Sequence, residues 1–172
     1  MIIKDYKGLK PVINGGWLAE DVSVIGDVEI GRNASIWYGV VLRGDVHKIV
    51  IGENTSIQDN SVAHCATGLP TIIGPNCVVG HNAIIHSCTV EENCLIGMGA
   101  VLLDGCHIGA GSIVAAGAVV SPNKVIPPNS MVMGVPGRVV RQTTEEDRAG
   151  TRFSVEHYIH YADGQLEQVY RP

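Results

Sequence analysis

The feature that most constrains this chain is a stripe of aliphatic residues recurring every six positions. It runs through Leu18, Val24, Ile30, Ile36 and Leu42, resumes at Ile51, Ile57 and Ala63, and resumes again at Ile73, Val79 and Ile85. One step of five leads to Val90, and the stripe continues through Ile96, Leu102, Ile108, Val114, Val120, Ile126 and Val132. Position two of the repeat is often glycine, as at Gly31, Gly52, Gly74, Gly80, Gly97 and Gly109. Position five is mostly small, as at Ala34, Thr55, Cys77, Ala100 and Ser112. A period of six fits neither an α-helix nor a coiled coil. It fits a coil with three short flat sides, each giving one large aliphatic group to a narrow interior, with small residues and glycines at the tight corners. Successive coils then stack at ~4.8 Å, the inter-strand spacing of a sheet, and the product is a parallel β-helix held by nearest-neighbour contacts.

Composition agrees with many small stacked elements: 172 residues, 45% hydrophobic but only 5% aromatic, with 21 glycines. A net charge of −5 argues against a nucleic-acid or anionic-membrane surface. The opening MIIKDYKGLKP has no apolar core segment, so no signal peptide is expected. The longest uncharged run, Ile108 to Asn123, is too short and too glycine-broken for a membrane span. Five cysteines, an odd number without a CxxC pair, point to a reducing cytoplasm rather than a disulfide framework.

The repeat divides the chain into a lead-in (residues 1–17), the β-helix (18–141) and a tail (142–172). Two insertions, roughly Gly44–Val50 and Cys65–Ile72, are candidate functional loops. In the tail, Thr143 with Glu146 reads as a capping box. Ser154 could cap a second helix ending at Asp163-Gly164. The tail is therefore expected to be helical, in one or two pieces, packed on the outside of the prism and closing an open end or edge.

Histidines give the chemistry. His81 and His86 are five apart, a spacing that aligns side chains on neither a helix nor a strand. On a three-sided coil, however, Ala63 and Ile85 begin the same side one coil apart. His64 and His86 then stack as neighbours about 5 Å apart, with Arg43 one coil earlier. His81 falls at position three of the preceding side and points elsewhere within one chain. A symmetric trimer with the second side of one prism against the third side of its neighbour would bring His81 of one chain to His64 and His86 of the next. Three neutral imidazoles with an open fourth position make a catalytic zinc site rather than a structural one. The plainer alternative is that each histidine is a surface or packed residue. His47, His107, His157 and His160 lack the relationship and read as surface residues. Tyr38 and Asp59 share the column of His81, and Gln58 lies one coil below Gly80. Arg43, Asp45 and Asp59 read most simply as inter-subunit hydrogen bonds and an ion pair, or else as groups that orient the metal site. Gln58 is the better candidate for contact with substrate.

The segments LRGD (Leu42–Asp45), IQDNSVAH (Ile57–His64), VVGHNAIIH (Val78–His86), IGMGAVLLDG (Ile96–Gly105) and GVPGRVVR (Gly134–Arg141) resemble the γ-class carbonic anhydrases and their ferripyochelin-binding or carnitine-operon relatives, over almost the whole chain. The resemblance implies a left-handed β-helix, a homotrimer, and zinc, with iron or cobalt as alternatives. By motif, His64 and His86 resemble the ligands from one subunit and His81 the ligand from its neighbour. Arg43, Asp45, Gln58 and Asp59 match interface and metal-surrounding residues, and Tyr158 corresponds to a tail tyrosine that some members place near the metal. The chain departs from the archetype at Val46 and Ser56, and in the loop CATGLPT, which lacks the acidic proton-shuttling residue. The implied activity is reversible hydration of CO2 to bicarbonate by a zinc-bound hydroxide at a trimer interface, with slow proton removal. Two alternatives stand beside it: a hexapeptide-repeat acyl-CoA transferase or thioesterase, and a metal-binding accessory protein with little turnover.

Overall fold

In the computed structural model, which describes residues 1–169, the chain winds into a β-solenoid of about seven turns followed by one helix. This is a left-handed parallel β-helix of hexapeptide repeats. The three sides are columns of in-register parallel strands. The first carries Ile30, Ile51, Ile73, Val90, Ile108 and Ile126. The second carries Leu18, Ile36, Ile57, Val79, Ile96, Val114 and Val132. The third carries Val24, Leu42, Ala63, Ile85, Leu102 and Val120. Every residue of the aliphatic stripe is buried except Leu18, which is half-buried. Removing one large aliphatic side chain per side from water is the main drive for coiling.

The corners differ from the sequence expectation. The residue with left-handed backbone is position four, not two or five. It is asparagine at Asn33, Asn54, Asn60, Asn76, Asn82, Asn93, Asn123 and Asn129, and glycine at Gly39, Gly99, Gly105, Gly111 and Gly117. Asparagine tolerates this conformation better than other residues with a side chain, and stacked corners bond to one another, Asn54 Nδ2 donating to Asn76 Oδ1 at 3.0 Å. The position-two glycines serve close approach instead: a Cβ on Gly52 would stand 2.4 Å from the carbonyl carbon of Gly74 in the next coil.

The first insertion is not a loop. Gly44–Val50 lies inside one long strand, Val41–Ile51, which pairs with Ser23–Ile30 across the corner between the third and first sides. The second insertion is a tight excursion closed by an Ala66–Leu69 bridge. Thr71 Oγ1 donates to His64 O at 2.6 Å and accepts from Ser87 N, which ties this excursion to the third side.

The tail is helical, and of the two arrangements expected it takes the single helix, α1 (Glu145–Val169). Its cap sits one residue later than the sequence suggested: Asp147 N donates to Thr144 Oγ1, and Thr144 N donates to Asp147 Oδ2 at 2.7 Å. Ser154 caps nothing; its hydroxyl donates to Gly150 O within the helix. Helix α1 lies along the second side, against Trp17–Leu18, Ser35–Ile36, Ser56–Ile57 and Val78–Val79. The end of the solenoid is covered instead by Arg138–Gln142, which pairs antiparallel with Ser130–Met133. The few aromatics cluster where α1 meets the prism. Trp17 packs on Trp37 at 4.7 Å between ring centroids, and Tyr158 meets Trp37 edge-on at 5.5 Å.

Candidate metal centre

The sequence-derived ladder exists in the backbone: Arg43 pairs with His64, and His64 with His86, on the third side. The two imidazoles face outward, 5.2 Å apart between centroids. His64 Nδ1 stands 3.1 Å from His86 Nε2. The other nitrogen of each ring is engaged by a carboxylate, His64 Nε2 by Asp45 Oδ1 at 3.0 Å and His86 Nδ1 by Asp104. A carboxylate only accepts, so the proton of each neutral ring lies on the nitrogen facing the acid. The two nitrogens that face each other then both present lone pairs. Such an arrangement is unfavourable when empty and suited to a cation.

Asp45 is shared. Arg43 donates to its Oδ2 at 2.6 Å. Burial alone would push its carboxyl pKa up, but hydrogen bonds from Arg43 and His64 outweigh this and hold it below the ordinary carboxylate value. Asp104 was not singled out in the sequence. It sits one position past Leu103, the next rung of the Arg43–His64–His86 ladder, and reaches back one coil to His86. A carboxylate beside the next slot of a histidine ladder is the signal that could have found it.

His81 lies apart from this pair. It emerges at the corner after the second side, where its Nδ1 contacts Asp59 Oδ2 at 2.7 Å. With Trp37, Tyr38, Asp59, Tyr158 and Tyr161 it lines a cavity of about 290 Å³. Gln58 is buried beneath α1, in a second cavity of about 210 Å³ shared with Gly80, Met98, Ser154 and Tyr158. The chain thus forms two groups, Arg43, Asp45, His64, His86 and Asp104 on the third side, and Gln58, Asp59, His81 and Tyr158 between the second side and α1. Among the described residues of one chain, no three His, Cys, Asp or Glu side chains are placed to hold a metal.

Residues 87–122 match the family model "Bacterial transferase hexapeptide (six repeats)", and residues 70–103 match "Hexapeptide repeat of succinyl-transferase". A Methanocaldococcus jannaschii protein named "Probable carbonic anhydrase" is 48% identical over 142 residues, spanning 83% of this chain and 89% of that one. The chain belongs to the γ-class carbonic anhydrase family. "Gamma carbonic anhydrase 2, mitochondrial" of Arabidopsis thaliana is 53% identical over 66 residues, 35% of this chain and 24% of the plant protein. Among solved structures, a hexapeptide transferase family protein from Anaplasma phagocytophilum is 40% identical, with a TM-score of 0.91 over 95% of this chain and 97% of its own. Membership in the γ class places a metal cofactor and a small-molecule substrate in the frame. No helix among the described residues is long and apolar enough to cross a membrane.

Proposed function

We propose that the chain forms a homotrimer in which His81 of one subunit completes the His64–His86 pair of the next, and that this shared site catalyses the reversible hydration of CO2 to bicarbonate. The observation that carries the reading is the pair of facing ring nitrogens, His64 Nδ1 and His86 Nε2, 3.1 Å apart, with a carboxylate behind each ring. Two nitrogens at ~2.0–2.1 Å from a tetrahedral zinc are a little over 3 Å apart, so the spacing suits that ion. His81 is built alike, with one nitrogen on Asp59 and the other left for a ligand role. His64, His81 and His86 would hold zinc, with iron or cobalt accepted by the same donors. When bound, the ion acts as a Lewis acid that lowers the pKa of water toward ~7.

The chain's own residues do the rest. Asp45, Asp59 and Asp104 fix the tautomer and direction of the three rings, and Arg43 keeps Asp45 ionised and in place. Gln58 and Tyr158 line one cavity and orient the substrate. Trimerisation is supported by the outward column of the third side. Val41, Val62, Ile84, Val101 and Val119 stand in register, an uninterrupted apolar ladder beside the histidines. Exposed apolar ladders of this kind mark an interface. The five free, buried thiols suit a reducing compartment such as the cytoplasm.

A second reading, acyl transfer from a CoA thioester, draws support from the transferase family models; a third is an accessory role without turnover. Stopped-flow CO2 hydration on zinc- and iron-loaded protein, with metal per subunit measured, separates them. Turnover that tracks metal content is expected. A metal-replete trimer with no CO2 hydration, or one that transfers acyl groups from CoA when metal-free, would overturn the first reading.

A further inference from the structure

Hydration releases a proton as well as bicarbonate (CO2 + H2O → HCO3⁻ + H⁺), so the site proposed above, on which this inference rests, must also export that proton. The excursion Cys65–Ile72, beside His64, contains no carboxylate or imidazole. Beside His81 lies a cavity of about 290 Å³, walled by Trp37, Tyr38, Asp59, Tyr158 and Tyr161. Tyr158 cannot accept the proton there: burial, then the Asp59 charge and Tyr161, raise its phenol pKa above the ordinary value, so it stays protonated at neutral pH. Asp59 is engaged by His81.

His157 is not itself part of that lining but packs against Tyr161, which is. Its ring is exposed, 4.1 Å from the Tyr161 ring and 6.4 Å from the Tyr158 ring between centroids. It is held by stacking on Phe153 at 5.6 Å and 15°. The titratable groups nearest it are Tyr158 and Tyr161, with Glu156 and His160 beside it along its own helix; Tyr38, Asp59 and His81 line the same cavity as Tyr158 and Tyr161. Of these side-chain types, imidazole is the one that ordinarily gains and loses a proton between pH 5 and 8. We propose that His157 is the proton-transfer residue of this enzyme. The proton leaving the reacting water crosses the cavity through solvent, binds a neutral His157 nitrogen to give imidazolium, and departs to buffer, with no change in electrons.

The test is stopped-flow CO2 hydration by zinc-loaded His157→Ala in dilute and in concentrated buffer, beside His160→Gln, which alters an exposed histidine on the same helix. In dilute buffer kcat should fall at least about tenfold in His157→Ala, given the size typical of positioned proton transfer. Its kcat/KM for CO2 and its metal content should hold, and added imidazole should restore kcat. The His160 variant should behave as the parent. An unchanged kcat in dilute buffer, or an equal loss of kcat/KM that imidazole does not mend, overturns the assignment. A metal-replete parent without turnover defeats the hydration reading itself, a separate result.

Discussion

The second and third sides are built from the same repeat, yet their outward surfaces have opposite fates. On the second side, Ser56 and Val78 are 1% and 4% exposed because α1 lies over them. On the third, Val62 and Ile84 occupy the equivalent column and are 36% and 44% exposed. The chain brings a helix to the second side, which is therefore not free to lie against a neighbour's third side as the repeat alone suggests, and leaves bare the face that carries the facing histidines. His81 stands at the corner between the two, beside the helix-covered face. A strand side of this kind is neutral as to partner; what covers it decides whether it becomes core or interface. The first side takes a third course, with charged outward pairs such as His107–Glu91 at 2.8 Å and Lys48–Glu29 at 2.8 Å, which keep it wet.

Substitutions on the two sides should separate these roles. The largest effect is expected from Ile84→Glu. A charge in the bare column should yield monomers by analytical ultracentrifugation and, because the site is shared, loss of metal and of CO2 hydration together, while the circular dichroism stays that of the β-helix. A trimeric, metal-replete Ile84→Glu protein would remove the third side as the interface. Its neighbour Ile85 points inward and is fully buried, so Ile85→Ala should lower stability by about 2–5 kcal/mol, read by denaturant unfolding of the trimer at fixed concentration.

Asp104→Asn comes next. The amide can donate to His86 Nδ1, which permits the wrong tautomer, and metal affinity should fall about 10–100-fold by competition with a chelator. Trimer mass should be unchanged; an unaltered affinity would reduce Asp104 to a surface contact. The smallest change is at the covered side. Thr144→Ala removes the cap of α1 and should cost about 1 kcal/mol, seen as a lower melting temperature with metal content intact.

How much of this the sequence disclosed follows from where periodicity speaks. The register was readable because one large aliphatic residue per side must point inward, so stacking Ala63 under Ile85 also stacked His64 under His86. The corner is hard to read in the sequence because position four is shared between asparagine and glycine, while glycine at position two is more conspicuous and answers a different need, the close approach of coils. The sequence leaves one helix or two open in the tail because Ser154 and Asp163-Gly164 look like boundaries. Val155, Tyr158 and Ala162 pack on the prism, and that burial outweighs the roughly 1 kcal/mol that a helical glycine costs. Asp104 escaped notice because it serves a histidine in the coil before its own, a relation that no local motif records.

The most direct test of a shared site is to mix two defective chains. His81→Ala keeps the His64–His86 pair, and His64→Ala keeps His81; neither homotrimer should retain metal or hydrate CO2. Co-refolded, each mixed trimer should contain one interface with all three histidines, and metal and activity should return with it. A mixture as empty as its parents, or a His81→Ala trimer that holds metal by itself, would contradict the sharing of each site between neighbouring chains.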